Sequence, residues 1–326
     1  MSGNTTSNTS AIIRAQVYSD IILEEIQDNF LPEGLHRDVS DFGDGETLYI
    51  PTFGEVVLRD LSEDVDTPVD AIDTGQVTLT ITEHVGAGSY LTDKLRQDSY
   101  KAAQFDAAIV PKHLRAIKER YETDLLATVN DQTLANPNTI NGLAHRFVAN
   151  GTGQQLTLED LVYLKLSFDK AELPDEGRIL IVDPIVEATL NNLTNLVNVS
   201  NNPRFEGIME TGFAKNMRFI KNIMGFDIFI SNRLPRVVSE AIDTSAIGTP
   251  APSGSGSVTG GIVNVALCAA DDMTTPIMGA WRQMPATEGY RNVHKRRDEF
   301  YTTARWGFGL QRTQSIVGLI TSDSNY

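Results

Sequence analysis

The sequence predicts an α+β chain, and three patterns carry that expectation. Residues 114–129 repeat apolar side chains at helical spacing, and residues 77–82 and 300–310 alternate them with a period of two. Residues 178–193 pass from an aliphatic run to a helix across one Asp-Pro pair. Helical and extended segments occupy separate stretches.

Residues 1–9 are polar without an apolar anchor and read as a mobile arm. From Ser10, placed to cap, Ile13, Val17, Ile22, Ile26 and Phe30 predict an amphipathic helix that ends before Pro32 and Gly34. Two strands follow in "GETLYIPTFGEVVLRDL" and "GQVTLTITEHV", where Val77, Leu79 and Ile81 alternate with Thr78, Thr80 and Thr82. They predict a long hairpin. The acidic "DLSEDVDTPVDAIDTG" between them has no core pattern, and loops of that length in compact domains tend to be functional or disordered.

"LTDKLRQDSYKAAQFDAAIV" predicts a helix that stops or kinks at Pro111, which lacks a backbone donor. Beyond it, Leu114, Ile117, Tyr121, Leu125 and Val129 form the strongest apolar stripe in the chain, with Lys118–Glu122 and Arg120–Asp124 as supporting pairs. Joined, the two pieces predict one bent helix over 92–130, about 50 Å or more in length. "NPNTINGLAHRFVANGTGQQ" reads as loop. Thr157 with Asp160 opens a helix as a capping box, and Asp183 caps another that starts at Pro184. "TSAIGTPAPSGSGSVTGG" is a low-complexity linker, and "EFYTTARWGFGLQ" alternates Phe300, Ala304, Trp306, Phe308 and Leu310 onto one face.

At 326 residues, with 41% hydrophobic and 21% charged, the chain is long enough for a sizeable core and has an ordinary globular composition. No apolar run reaches the roughly 18 residues that span a bilayer, and the polar start lacks the parts of a signal peptide. Cys268 is the lone cysteine, so neither an internal disulfide nor a Cys-based zinc site is available. It reads as a small buried strand residue. The net charge of −16 disfavours nucleic-acid binding as the main activity. Residues 1–100 hold 19 Asp and Glu against 5 Lys and Arg, a net of −14, whereas Arg291–Arg312 holds six basic and two acidic residues. Either these are two solvated faces, or one part of the chain is made to meet another part of a second copy.

Catalytic patterns are lacking. His36, His84, His113, His145 and His294 stand singly, none at metal-ligand spacing from another His or Cys. "DFGDGE" lacks the length and closing Glu of a calcium loop, and "GAGSYL" follows a hairpin strand rather than opening a βαβ unit. The cluster of Asp60, Glu63, Asp64, Asp66, Asp70 and Asp73 has the chemistry for a divalent cation, against which stands a solvated or partner-facing loop.

The order of parts carries more than any motif. "GRILIVDPIVEATL", "GFDIFISNRLP" and the closing "RRDEFYTTARWGFGLQRTQSIVGLIT", in this order, resemble the major capsid protein of tailed double-stranded DNA phages, with the Hong Kong 97-like fold also found in encapsulins. The resemblance implies an N-arm over 1–40 and an extended loop over 41–88 that lies on a neighbouring subunit. A peripheral domain would take 89–154 and 277–312, with the long helix as its spine. An axial domain would take 155–276 and 313–326. It also implies hexamers and pentamers of the chain in an icosahedral shell around the phage genome, without catalytic residues, cofactor or metal. Its partners would be itself, portal and scaffolding proteins and, where present, a decoration protein. A separate scaffolding protein is expected because no long scaffolding segment precedes the arm. Its place would be the virion, after assembly in the host cytoplasm.

Charge then suggests an inter-subunit contact. Glu63, Asp64, Asp66 and Asp70 are expected to meet Lys295, Arg296 and Arg297 of a neighbour. Two other readings stay open: an encapsulin-type compartment with enzymes as cargo, and a soluble metal-dependent α/β hydrolase.

Overall fold

The computed structural model describes residues 35–40, 45–54, 58, 60, 72, 74–98, 102–133, 138–192, 222–237, 239–241, 257–258 and 260–323. The expected arm and helix of residues 1–30, the acidic cluster apart from Asp60, and most of the linker lie outside these residues.

In chain order, β1 is His36–Asp38, β2 Thr47–Phe53, β3 Thr74–Thr80 and β4 Glu83–Thr92. Helix α1 (Asp93–Asp98) and the long α2 (Ala102–Ala127) follow, and a 3-10 turn covers Thr128–Asp131. Next come β5 (Thr139–Ile140), β6 (Leu143–Ala144), β7 (Arg146–Val148), α3 (Leu158–Lys170), β8 (Arg178–Val182) and α4 (Pro184–Asn192). The remaining strands are β9 (Asn222–Ile223), β10 (Phe226–Ile230), β11 (Arg236–Val237), β12 (Glu240–Ala241), β13 (Ser257–Val258), β14 (Gly261–Cys268), β15 (Ile277–Asn292), β16 (Arg297–Leu310) and β17 (Ile316–Ser322).

Two sheets dominate. The larger runs β7-β17-β14-β8-β10-β9, with β11 also paired to β14. Both of its faces are covered, which is why its strands read as unbroken aliphatic runs. Leu180, Val182, Phe226, Ile228, Ala266, Cys268, Val317 and Leu319 point to one side, where Leu161, Leu164, Phe168, Val186 and Leu190 of α3 and α4 close the core. Ile181, Val263, Val265, Leu267, Ile316 and Ile320 point to the other, against Leu125, Leu126 and Val129 at the end of α2. Cys268, on the α3–α4 side, is fully buried as expected, and burial pushes its thiol pKa up. Arg146–Val148, which precedes the expected boundary at 154, pairs in parallel with β17 in this sheet.

The smaller sheet runs β1-β15-β16-β4. Phe300, Ala304 and Trp306 face inward as the alternation predicts. Ile117 and Tyr121 of α2 pack on Ala304 and Trp306. Tyr121 stacks on Trp281 with ring centroids 4.5 Å apart and planes 6° apart. Pro285 sits inside β15 where the register with β16 slips between Gln283 and Ala286. A strand tolerates proline at such a bulge because no ladder hydrogen bond is lost.

The expected hairpin is present: β2 and β3 pair antiparallel from Thr47↔Thr80 to Phe53↔Thr74. Its base is tied down, since Leu79 packs with Met278 and Ala280, backed by Leu48, Ile50 and Val77. Gly307 of β16 makes this crossing possible. A Cβ there would lie 2.5 Å from the Thr80 carbonyl oxygen and 2.7 Å from the Ile81 Cα.

Two expectations need correction. First, α2 runs through Pro111 instead of stopping there. Proline in a helix interior costs about 3 kcal/mol or more. Four buried aliphatic residues flank it, Ile109, Val110, Leu114 and Ile117, and each contributes about 1.5–3 kcal/mol, so tertiary burial wins. The helix expected over 92–130 is described in two pieces, α1 to Asp98 and α2 from Ala102, and residues 99–101 lie outside the described residues. The 26 residues of α2 alone span about 39 Å. Second, residues 136–155 are not simply loop. Asn141 and Gly142 take φ of 48° and 83°, the left-handed pair that closes a two-residue hairpin, and Thr139–Ile140 pairs with Leu143–Ala144 across it.

Candidate assembly surfaces

The corner after β10 shows what local sequence does here. The Asp227–Ile230 stretch of β10 lies parallel to β8, and the chain leaves the sheet at Ser231. The backbone N–H of Arg233 donates to Ser231 Oγ at 3.2 Å, which tightens the turn. Arg233 pairs with both Glu122 and Glu119 of α2. Leu234 drops into the core beneath. The Ser-Asn-Arg-Leu-Pro corner therefore docks the long helix onto the large sheet, and it is no catalytic feature.

Among the described residues, large apolar side chains are exposed mainly in two places. Tyr49, Phe53, Leu58 and Ile72 lie on or beside the β2–β3 hairpin, with Phe53 at 79% and Leu58 at 94% exposure. Exposed apolar side chains gathered in this way mark a surface suited to a partner. The second place is the face of the small sheet turned away from α2. There the register sets Tyr290, Glu299 and Tyr90 side by side, with Tyr301 in the next row beside Gly88. Tyr90, Tyr290 and Tyr301 are all exposed.

Side-chain contacts tie this face together. The Tyr301 hydroxyl donates to Glu299 Oε2 at 2.6 Å, and Asn292 donates to Glu299 Oε1 at 3.1 Å. Arg297 pairs with the same carboxylate and lies over the Tyr90 ring at 4.4 Å. Together, the Tyr301 hydroxyl foremost, these donors hold the Glu299 pKa down at about 2. At the tip, Arg291 forks onto Asp93 and reaches Asp298, which also binds Arg96 at 2.6 Å. The hydrogen bonds from Arg291 lower the Asp93 pKa and raise that of Arg291.

The predicted basic residues sit on and beside the tight turn between β15 and β16. Lys295 and Arg296 are exposed, and Arg296 adopts φ of 46°. The Lys295 N–H donates to Asn292 Oδ1 at 3.1 Å, and the Arg296 carbonyl accepts from Asp93 N–H at 3.0 Å. Arg297 is half-buried and engaged within its own chain, which sequence spacing did not foresee. Glu63, Asp64, Asp66 and Asp70 lie outside the described residues. The sequence also missed Asp93, Arg291, Asp298 and the three tyrosines as a group. Only the strand register, a long-range property, brings them together.

His36, half-buried, and the buried His113 have side-chain partners. His36 Nε2 meets the Tyr121 hydroxyl at 3.2 Å, and His113 lies between Ser89 and Thr302. Burial lowers the pKa of His36, His113 and His145. Among the described residues, no group of three or more His, Cys, Asp and Glu is placed to hold a metal ion.

The family model described as phage capsid protein matches residues 75–318. No curated protein matches the chain. Among solved structures, the capsid of the cyanophage P-SCSP1u is similar at 16% identity and a TM-score of 0.63, over 91% of this chain and 89% of that one. The mature capsid of bacteriophage PhiM1 is similar at 15% identity and a TM-score of 0.64, over 91% and 88%. A virus-like particle from Pyrococcus furiosus is similar at 10% identity and a TM-score of 0.52, over 94% and 99%. The α+β architecture is that of Hong Kong 97-like capsids. By its family match and its fold, the chain belongs to the phage capsid protein family and is a structural protein of a capsid shell.

Proposed function

We propose that the chain assembles as hexamers and pentamers into an icosahedral shell that encloses a double-stranded phage genome. The observation that carries this reading is the pair of uncovered apolar surfaces, the hairpin side chains Phe53 and Leu58 and the tyrosine face of the small sheet. Two different patches on one chain suit a head-to-tail contact, which closes into rings. On this reading the extended loop over 41–88 reaches a neighbour. The N-arm covers 1–40, the peripheral domain 89–154 with 277–312, and the axial domain 155–276 with 313–326.

The charges set register. Glu63, Asp64, Asp66 and Asp70 of one copy meet Lys295 and Arg296 of the next, with Arg297 supporting the turn. Exposed pairs contribute only about 0–1 kcal/mol each, so they orient the contact more than they hold it. The net charge of −16 suits a container whose genome must slide. Portal and scaffolding proteins, with a decoration protein where one exists, are the partners on this reading, and assembly takes place in the host cytoplasm.

Electron microscopy of the expressed protein, alone and with its neighbouring genes, tests the proposal. Closed shells or tubes are expected, and a persistent monomer in every preparation rejects it. Phe53→Asp with Leu58→Asp should leave the subunit folded and abolish particles. A cargo compartment shares this fold by resemblance, and nuclease-protected DNA inside purified particles separates the two.

A further inference from the structure

The two large sheets end in four edge strands, and three of them are short. β1 and β7 have three residues each and β9 has two, whereas β4 runs for ten, from Glu83 to Thr92. Its register with β16 is unbroken from Glu83↔Trp306 to Thr92↔Arg297, and among the described residues no strand pairs with its other side. Free N–H and C=O groups along an edge recruit further strands, so edges are ordinarily blunted by shortness, proline, a bulge or lysine. β4 carries none of these devices, and its one formal charge at neutral pH sits at the end, on Glu83. Gly86, Ala87 and Gly88 keep its centre slim. Helix α2 runs antiparallel beside it, since His113 reaches Ser89 and Arg120 reaches Glu83. Between those two, on the same helix face, the exposed residue is the small Ala116.

We infer that β4 pairs antiparallel with β4 of a second copy, across a two-fold axis at Ala87, and joins the small sheets of two subunits into one. The strand is self-complementary in this register. Glu83 faces Leu91, His84 faces Tyr90 and Gly86 faces Gly88, so residues 83–91 all pair and no like charges stand opposite, an arrangement that would destabilise the ladder. An axis perpendicular to the sheet keeps both α2 helices on one side and both tyrosine faces on the other. Tyr90, already part of that exposed face, then carries it across the junction. In a shell of the kind proposed above, on which this contact rests, a head-to-tail contact is used up when its ring closes. Joining one ring to the next needs a contact of another kind, and an isologous strand pair supplies it.

Facing residues of antiparallel strands have Cα atoms about 4.5–5.5 Å apart, within the span of a disulfide. Under mild oxidation Ala87→Cys should therefore cross-link to its own counterpart and run as a chain pair on a denaturing gel without reductant. Val85→Cys, about 13 Å from its counterpart in this register, should stay single. Cys268 is fully buried and stays silent in both variants. No cross-link at Ala87, or equal cross-linking at both positions, overturns the inference. Hydrogen exchange of β4 in assembled particles and in the unassembled subunit reads the edge without regard to register. About half of its amides point away from β16 and should gain protection on assembly. Particles in which β4 exchanges as freely as in the subunit overturn the inference and leave the shell reading standing. Protection of β4 without the Ala87 cross-link gives the edge to a different strand and overturns it too. A protein that never forms particles counts against the shell reading instead, and there the cross-link alone decides the contact.

Discussion

The hydroxyl of Ser231 donates to Oε1 of Glu122 at 2.6 Å, so the corner of the large sheet holds the C-terminal part of the long helix. Arg233 binds the other oxygen of the same carboxylate. Glu122 is mostly buried and is thus the shared acceptor of two segments far apart in sequence. Its replacement by Ala leaves Ser231 without that partner, and hydrogen bonds to charged groups are worth about 1.5–3 kcal/mol. Glu122→Ala should destabilise by about 2 kcal/mol in urea unfolding. Arg233→Ala should cost less than half of that, because its side chain is 36% exposed and solvent screens the pair.

Gly307 and Gly309 lie two residues apart in β16 and should answer differently to alanine. At Gly307 the added Cβ meets backbone at 2.5 Å and 2.7 Å, and backbone cannot rotate away. At Gly309 the nearest atoms are Leu79 Cδ1 and Met278 Cε, both at 3.2 Å, and both end flexible side chains. Gly307→Ala should lose about 1–3 kcal/mol or fail to fold, while Gly309→Ala stays within about 1 kcal/mol of the parent. Equal effects by thermal melting would refute the assigned crossing of β3 over β16.

Acid should weaken the fold through three histidines, His113 and His145 buried and His36 half-buried. His36, His113 and His145 all have pKa values lowered from 6.5, with burial as the leading cause. The unfolded chain therefore binds more protons than the folded one just below that value. Their contribution is fully present above about pH 6.5 and is lost as pH falls below it. Glu299 and Asp93, with lowered pKa values, act only at lower pH, and Asp124, Asp131 and Asp160, pushed up by burial, act in the opposite sense as the acid range is approached. Melting midpoints measured from about pH 7 down to pH 5 should fall, and His113→Gln should flatten part of the decline.

Within the basic turn, the three residues should separate by role. Lys295→Glu with Arg296→Glu should keep the subunit's melting midpoint and impair particle formation in sedimentation. Arg297→Glu should lower the midpoint as well, since it removes the pair with Glu299 and the contact over Tyr90. A double mutant that forms normal particles would remove the charge contact from the proposed function.

Much of the fold is local and was legible. The capping box at Thr157 and Asp160 forms as the spacing predicts, because the partners are three residues apart. The Asp183 cap bonds the Ile185 N–H at 3.0 Å for the same reason. The period-two face of Phe300, Ala304 and Trp306 followed from strand geometry alone. The Asn-Gly hairpin at 141–142 was equally local, and the motif was there to be read. Pro111 was misjudged for a different cause: its penalty is local, but the burial that outweighs it comes from a sheet formed by distant strands.

By itself, the sequence determined the order of elements, the inward faces of the strands, the helix starts, the charge split and the resemblance to capsid proteins. These depend on neighbours within a few residues or on an ordered series of short strings. Tertiary structure alone decided that Arg297 binds Glu299 while Lys295 and Arg296 stay exposed, and that Tyr90, Tyr290 and Tyr301 share one face. It also decided that Ser231 finds Glu122. Each of these depends on strand register or helix docking between segments up to about two hundred residues apart, where a slip of one residue exchanges inside for outside.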